Sequence, residues 1–172
     1  MLTIPLVKLE QKGSLEIHGA ISPEDPGWEK TELRFSTLLS VSGRVLWLPS
    51  GDVLARLRLQ GLLAQECRRC LEPVSVAVDE GVEILFAPQG ESAEFDDDGS
   101  RPLPAGMLEL DLAEAVREEL VLSVSPFALC GSDCRGLCPR CGLNLNVERC
   151  VCSTEGDDPR WDVLRALNKE RE

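Results

Sequence analysis

A single histidine, His18, serves the whole of this 172-residue chain. One imidazole excludes a histidine-containing metal triad and leaves no second candidate for a Ser-His or Cys-His arrangement. His18 alternates within "LEIHGA", as a strand-surface or packed side chain would. No phosphate-cradling glycine loop of the P-loop or GxGxxG kind occurs. No carboxylate is set apart by its spacing from a solvated face. The chain therefore reads as non-enzymatic, with no catalytic residue and no small-molecule substrate expected.

Long apolar runs are also missing. The longest apolar-rich stretch, "LVLSVSPFAL" (120–129), is half of the ~20 residues a membrane helix needs, and it carries a proline. "MLTIPLVKLEQKG" has no basic n-region, no sustained apolar h-region and no small-residue cleavage site. The expected compartment is the cytoplasm, where thiols stay reduced and disulfides are disfavoured. Cations are scarce: 18 Lys and Arg face 30 Asp and Glu, a net charge of −12. That balance argues against a general nucleic-acid coat, which needs clustered basic residues. It permits a local RNA contact or a basic protein partner. Residues 88–119 hold ten acids against Arg101 and Arg117, a net of −8.

What the chain has in abundance is cysteine, eight residues in all. Cys67 and Cys70 form "CRRC". The other six crowd into "CGSDCRGLCPRCGLNLNVERCVC": Cys130, Cys134, Cys138, Cys141, Cys150 and Cys152. Two thiolates separated by two residues converge on one ion in a tight turn, the spacing of a zinc knuckle. Gly142 follows "CPRC" where such a turn often needs a positive φ, and Pro139 stiffens the turn. Cys138, Cys141, Cys150 and Cys152 make a compact set of four. Cys67, Cys70, Cys130 and Cys134 make a second, joining the strand region to the helix exit. A competing division pairs Cys67/Cys70 with Cys138/Cys141 as two knuckles of one ribbon. All-thiolate tetrahedral sites are closed, so two structural zinc ions are expected rather than catalytic ones. An iron–sulfur cluster uses the same ligands. A redox dithiol at "CRRC", activated by Arg68 and Arg69, is the third reading, although no helix start follows its first cysteine.

The rest of the chain reads as α+β: an antiparallel sheet or open barrel, then a helix, the cysteine-rich segment and a short C-terminal helix. Strands are expected at "TIPLVKL" (3–9), "SLEIHGAI" (14–21), "ELRFSTLLSV" (32–41) and "RVLWLP" (44–49), the last two flanking an "SG" turn. "DVLARLRLQGLLAQEC" (52–67) alternates with period two, and mid-strand Gly61 suggests a bulge or bend. "VSVAVDEGVEILF" alternates on either side of a "DEG" break. Residues 88–106 read as a mobile acidic loop. "LDLAEAVREELVLSV" is a helix over 111–123. Leu108, Leu112, Ala115, Val116 and Leu120 share one face, and Asp111 with Glu114 gives a start resembling a capping box. Pro126 stops it. Two units follow: a mainly β domain over 1–126, and a cysteine-rich segment with a C-terminal helix over 127–172. Pro159, Trp161, Leu164 and Leu167 mark that last helix.

"ECRRCLEPV", "LDLAEAVREELVLSVSP", the run "LCGSDCRGLCPRCGLNLNVERCVC" and "DPRWDVLRAL" together resemble the bacterial YceD family, across most of residues 1–168. The resemblance is specific in the cysteine run and the "DPRWDVL" tail. It implies a part in accumulation of large-subunit (23S) ribosomal RNA, hence in ribosome biogenesis. Plant relatives act in plastids, and family members are commonly encoded beside a small zinc-binding ribosomal protein. Two non-enzymatic mechanisms follow. In one, Arg68, Arg69, Arg135, Arg140 and Arg149 touch ribosomal RNA. In the other, the acidic 88–119 region holds a basic ribosomal protein, and the charge census favours this second mechanism.

Overall fold

The computed structural model describes residues 2–88 and 99–152. Its element order is β1 (Thr3–Pro5), α1 (Leu6–Lys12), β2 (Ser14–Ile21), a 3-10 turn (Pro26–Lys30), β3 (Leu39–Trp47), β4 (Val53–Glu66), β5 (Pro73–Pro88), β6 (Arg101–Leu103), β7 (Glu109–Asp111) and α2 (Ala113–Ser123). Strands β2 to β5 form an antiparallel meander, β6 joins β5 in parallel, and β1 pairs separately with β7. The fold is α+β with a mixed sheet, and the five-stranded order is open, with β2 and β6 at its ends.

Period-two alternation explains the long strands. In β4, Val53, Ala55, Leu57, Leu59 and Leu63 turn inward while Arg56, Arg58 and Gln60 face water. On β5 the same parity buries Val78, Val82, Ile84 and Phe86. The core closes over this face with Leu6 and Leu9 of α1 and Ala115, Val116 and Leu120 of α2. Each fully buried leucine, such as Leu9 or Leu120, contributes roughly 1.5–3 kcal/mol. Arg117 fastens α2 to the 3-10 turn, donating to Asp25 Oδ1 at 2.6 Å with its guanidinium over Trp28.

Several expectations are corrected. The strand at 3–9 ends at Pro5 and becomes α1, because Leu6 and Leu9 sit one helical turn apart on the core. Gly13 (φ +71) closes that helix in a left-handed cap, its N–H donating to Leu9 O. "SG" is no turn: β3 runs through Ser42 and Gly43, leaving 32–38 outside it but for a bridge from Phe35 to Leu63. A Cβ on Gly43 would lie 2.1 Å from Arg56 O, so glycine here permits close strand approach. The "DEG" stretch does not break β5, whose register with β4 continues unbroken from Pro73 to Phe86. Gly61 lies in that regular ladder with no bulge. It leaves room for the Phe35 ring, 3.3 Å from where a Cβ would stand. Helix α2 begins at Ala113 rather than 111, with Leu112 as N-cap and no side-chain cap. Asp111 Oδ1 instead accepts from Ala113 N at 3.0 Å, and Leu108 is 71% exposed rather than on the buried face. The acidic loop 88–106 includes β6 at its far end, and its residues 89–98 lie outside the described residues, as does the expected C-terminal helix. Among the described residues no helix is long and apolar enough to cross a membrane.

Candidate metal centres

Strand β4 ends at Glu66, and the chain folds at once into a knuckle over Cys67–Cys70. Cys67 N donates to Glu72 O at 2.8 Å, and Leu71 N donates to Cys67 O at 2.8 Å. The knuckle over Cys138–Cys141 repeats this pattern: Cys138 N donates to Leu143 O at 2.8 Å and Gly142 N to Cys138 O at 2.9 Å. In both, the residue after the second cysteine is left-handed, with φ +61 at Leu71 and +73 at Gly142. Leu71 is the one non-glycine with positive φ among the described residues. The knuckle imposes that conformation there at a local cost that glycine avoids.

The thiols gather into two sets: Cys67, Cys70, Cys130 and Cys134, and Cys138, Cys141, Cys150 and Cys152. Within each set the sulfurs all lie within 4.8 Å of one another. The competing division, Cys67/Cys70 with Cys138/Cys141, is not the one present. Individual Sγ–Sγ separations are 3.8 Å for Cys67–Cys134, 3.6 Å for Cys70–Cys130, and 3.4 Å for both Cys141–Cys150 and Cys138–Cys150. All eight cysteines are free. Two sulfurs bound to one tetrahedral ion at about 2.3 Å stand roughly 3.8 Å apart, so the donor set and spacing fit a single soft divalent ion in each group. A cluster of several irons would hold its thiolates farther apart.

Local electrostatics prepare the leading cysteine of each knuckle as a thiolate. Burial by itself raises the Cys67 thiol, but the backbone N–H groups of Cys70, Cys130 and Arg69 bring it down to about 6. Backbone N–H groups of Cys141 and Arg140 bring Cys138 down to about 6 as well. The neighbouring thiols Cys134 and Cys70 push Cys130 up to about 12. Cys150 also rises to about 12: the Cys152 N–H lowers it, but the thiols of Cys152, Cys138 and Cys141 outweigh that. Thiols this close cannot all ionise without a cation between them, and a bound metal ion would supply that cation.

The two sets differ in cover. Cys67, Cys70 and Cys134 are buried, with Val74 and Leu137 packed on them, while Cys130 is exposed. In the second set only Cys138 is buried. Two asparagines that sequence reasoning missed couple the sets. Asn146 Nδ2 donates to Cys134 Sγ at 3.3 Å while its Oδ1 accepts from Arg135 N at 2.7 Å. Asn144 Oδ1 accepts from Asn146 N, and its Nδ2 reaches Glu72. The available signal was two polar, turn-forming residues inside a thiol-bounded loop.

The five arginines are not equivalent. Arg69 donates to Ser132 O and, at 2.9 Å, to Cys134 O, while its own carbonyl accepts from Leu137 N. It is spent on joining the knuckles. Arg68 stacks over the exposed Phe127 ring at 4.1 Å. Arg135, Arg140 and Arg149 are exposed on the second loop. In the acidic region Arg101 pairs with Glu118 and Glu119.

Residues 55–168 match the model of the family described as Large ribosomal RNA subunit accumulation protein YceD. An uncharacterized protein of Mycobacterium tuberculosis is 32% identical over 171 residues, covering 95% of this chain and 79% of the relative. A chloroplastic protein of Arabidopsis thaliana, named Large ribosomal RNA subunit accumulation protein YCED homolog 1, is 33% identical over 67 residues. That match takes in 39% of this chain and only 21% of the plant protein. The Zea mays protein of the same name is 26% identical over 145 residues, half its own length. No solved structure matches.

Proposed function

The chain belongs to the YceD family, and from that premise we propose that it is a non-enzymatic factor in biogenesis of the large ribosomal subunit. Its two thiol tetrads hold structural zinc. Cys67, Cys70, Cys130 and Cys134 bind one ion, and Cys138, Cys141, Cys150 and Cys152 bind the other. Bound zinc supplies a neutralising cation and folding energy; with four thiolates it offers no open position for chemistry. The observation that carries this reading is the spacing of eight reduced thiols into two one-ion clusters, which also argues against a redox role for "CRRC".

Of the two binding mechanisms, a basic protein partner is better supported than RNA. Arg69 is internally engaged, and Arg44, Arg56 and Arg58 on the outer sheet face each pair with an acid. Phosphate binding needs cations held clear of such pairs. The protein therefore holds a basic ribosomal protein before its delivery to the cytoplasmic assembly site. RNA contact through Arg68, Arg135, Arg140 and Arg149 is the second reading, favoured by the stacking partner Phe127 beside Arg68. Affinity capture of the tagged protein from extract, with and without RNase, separates them. A basic ribosomal protein retained after RNase supports the first; loss of every partner on RNase treatment contradicts it.

A further inference from the structure

Strand β5 is the longest in the sheet at 16 residues, and β4 covers one of its edges from Pro73 to Phe86. On the other edge β6 takes only Phe86, Ala87 and Pro88. From Pro73 to Leu85 that edge has no backbone partner among the described residues. Unpaired N–H and C=O groups in a row are a template for another strand, and folds usually cover or blunt them. The edge of β2, the other flank, is shorter at eight residues and lies beside a helix end of mixed charge.

Charge distinguishes β5 further. It carries Asp79 and Glu83, which pair with Arg58 and Arg56 of β4, and Glu80, which has no ion pair among the described residues. No Lys or Arg occurs anywhere from Leu71 to Ser100. Glu80 is exposed although it shares the inward parity of Val78 and Val82, so an acid stands in the apolar row at the open edge. Two copies meeting edge to edge would bring their Glu80 carboxylates to one ladder with no cation to pair them, which disfavours self-pairing. A strand bearing cations would instead gain both ladder hydrogen bonds and charge complementarity.

We propose that the free edge of β5, Pro73 to Leu85, binds an extended basic segment of a partner protein as an added strand. The proposal rests on the protein-partner reading and names its surface. Main-chain pairing gives affinity that depends little on side-chain sequence, which suits the lysine- and arginine-rich extensions of nucleic-acid-binding proteins. Glu80, the β5 acid with no ion pair among the described residues, supplies the sign selectivity.

The full chain is tested with a fluorescent peptide of six Lys-Thr repeats. Companion probes are the same peptide N-methylated at alternate residues, in each of the two registers, and a Glu-Thr peptide. Anisotropy reads affinity, and amide hydrogen exchange reads position. The Lys-Thr peptide is expected to bind and to slow exchange within 74–85. At least one N-methylated register should lose tenfold or more at unchanged charge, and the Glu-Thr peptide should not bind. Glu80→Lys should weaken binding several-fold with an unchanged circular dichroism spectrum. Equal binding of both N-methylated registers would overturn the edge mechanism in favour of charge alone. Protection on α2 instead of β5 would sink the edge proposal while leaving the protein-partner reading intact. No peptide binding, with an RNA oligonucleotide bound instead, would overturn both. A homodimer protecting 74–85 would also contradict the proposal.

Discussion

The two thiol tetrads are built on similar knuckles and yet depend on the fold in opposite ways. Cys138, Cys141, Cys150 and Cys152 lie within 15 consecutive residues, so local turns can assemble them. Cys67 and Cys70 meet Cys130 and Cys134 across 60 or more residues, at the end of β4 and beyond the exit of α2. The first is a site a peptide could close. The second is a product of the folded sheet and, once filled, a tether on it. Closing so long a loop costs more entropy than closing a short one, so a metal bound there would stabilise the whole chain rather than one segment.

The largest expected difference between them is in mutational cost. Cys67→Ser should remove one metal and lower the melting temperature by about 10 °C or more, corresponding to several kcal/mol. Cys141→Ser should remove one metal while leaving the melting of the sheet nearly unchanged; equal losses in both variants would erase the distinction. Next in size is lability. Three of the four sulfurs in the local site are not buried, so a chelator should strip it first, giving two phases of zinc release. Simultaneous release would show that the tetrads behave as one unit.

A smaller effect comes from pH. In metal-free protein Cys67 and Cys138, held at about 6, lie below the unfolded thiol range. Their contribution is present above about pH 8.5 and is lost as pH falls toward 6. Cys130 and Cys150, raised to about 12, act in the opposite sense: their contribution is present below about pH 8.5 and lost as pH rises toward 12. Stability of the stripped, reduced protein should therefore peak near pH 8–9, read by thermal melts across pH 6–11; a monotonic profile would contradict the opposed shifts. The smallest predicted change lies at the left-handed position of each knuckle. Leu71→Gly should stabilise by about 1 kcal/mol and Gly142→Ala should destabilise by a similar amount. If Leu71→Gly is neutral, its exposed side chain is offsetting the strain.

The same division between local and distant structure explains how much was legible in the sequence. Spacing made Cys138, Cys141, Cys150 and Cys152 the more compact set, yet it left two divisions of the eight cysteines open, because only the topology decides which knuckle faces Cys130 and Cys134. Alternation found β2, β4 and β5, and 3.6-residue periodicity found α2. Glycines misled most. Gly43, Gly61 and Gly81 looked like a turn, a bulge and a break, yet all three continue strands, and at Gly43 and Gly61 what is accommodated is an approaching strand or ring from a distant part of the chain. Helix α1 escaped because seven residues after a proline carry too little periodicity, although the Pro5 and Gly13 boundaries were visible. The edge of β5 that lacks a partner among the described residues was invisible, since a strand's pattern reports which face is buried and never which edge is paired.

Elemental analysis of the freshly purified, reduced protein tests the central claim most directly. Two zinc ions per chain, falling to one in Cys141→Ser, is the predicted result; no metal in the freshly purified chain, or iron with acid-labile sulfide in place of zinc, would contradict it.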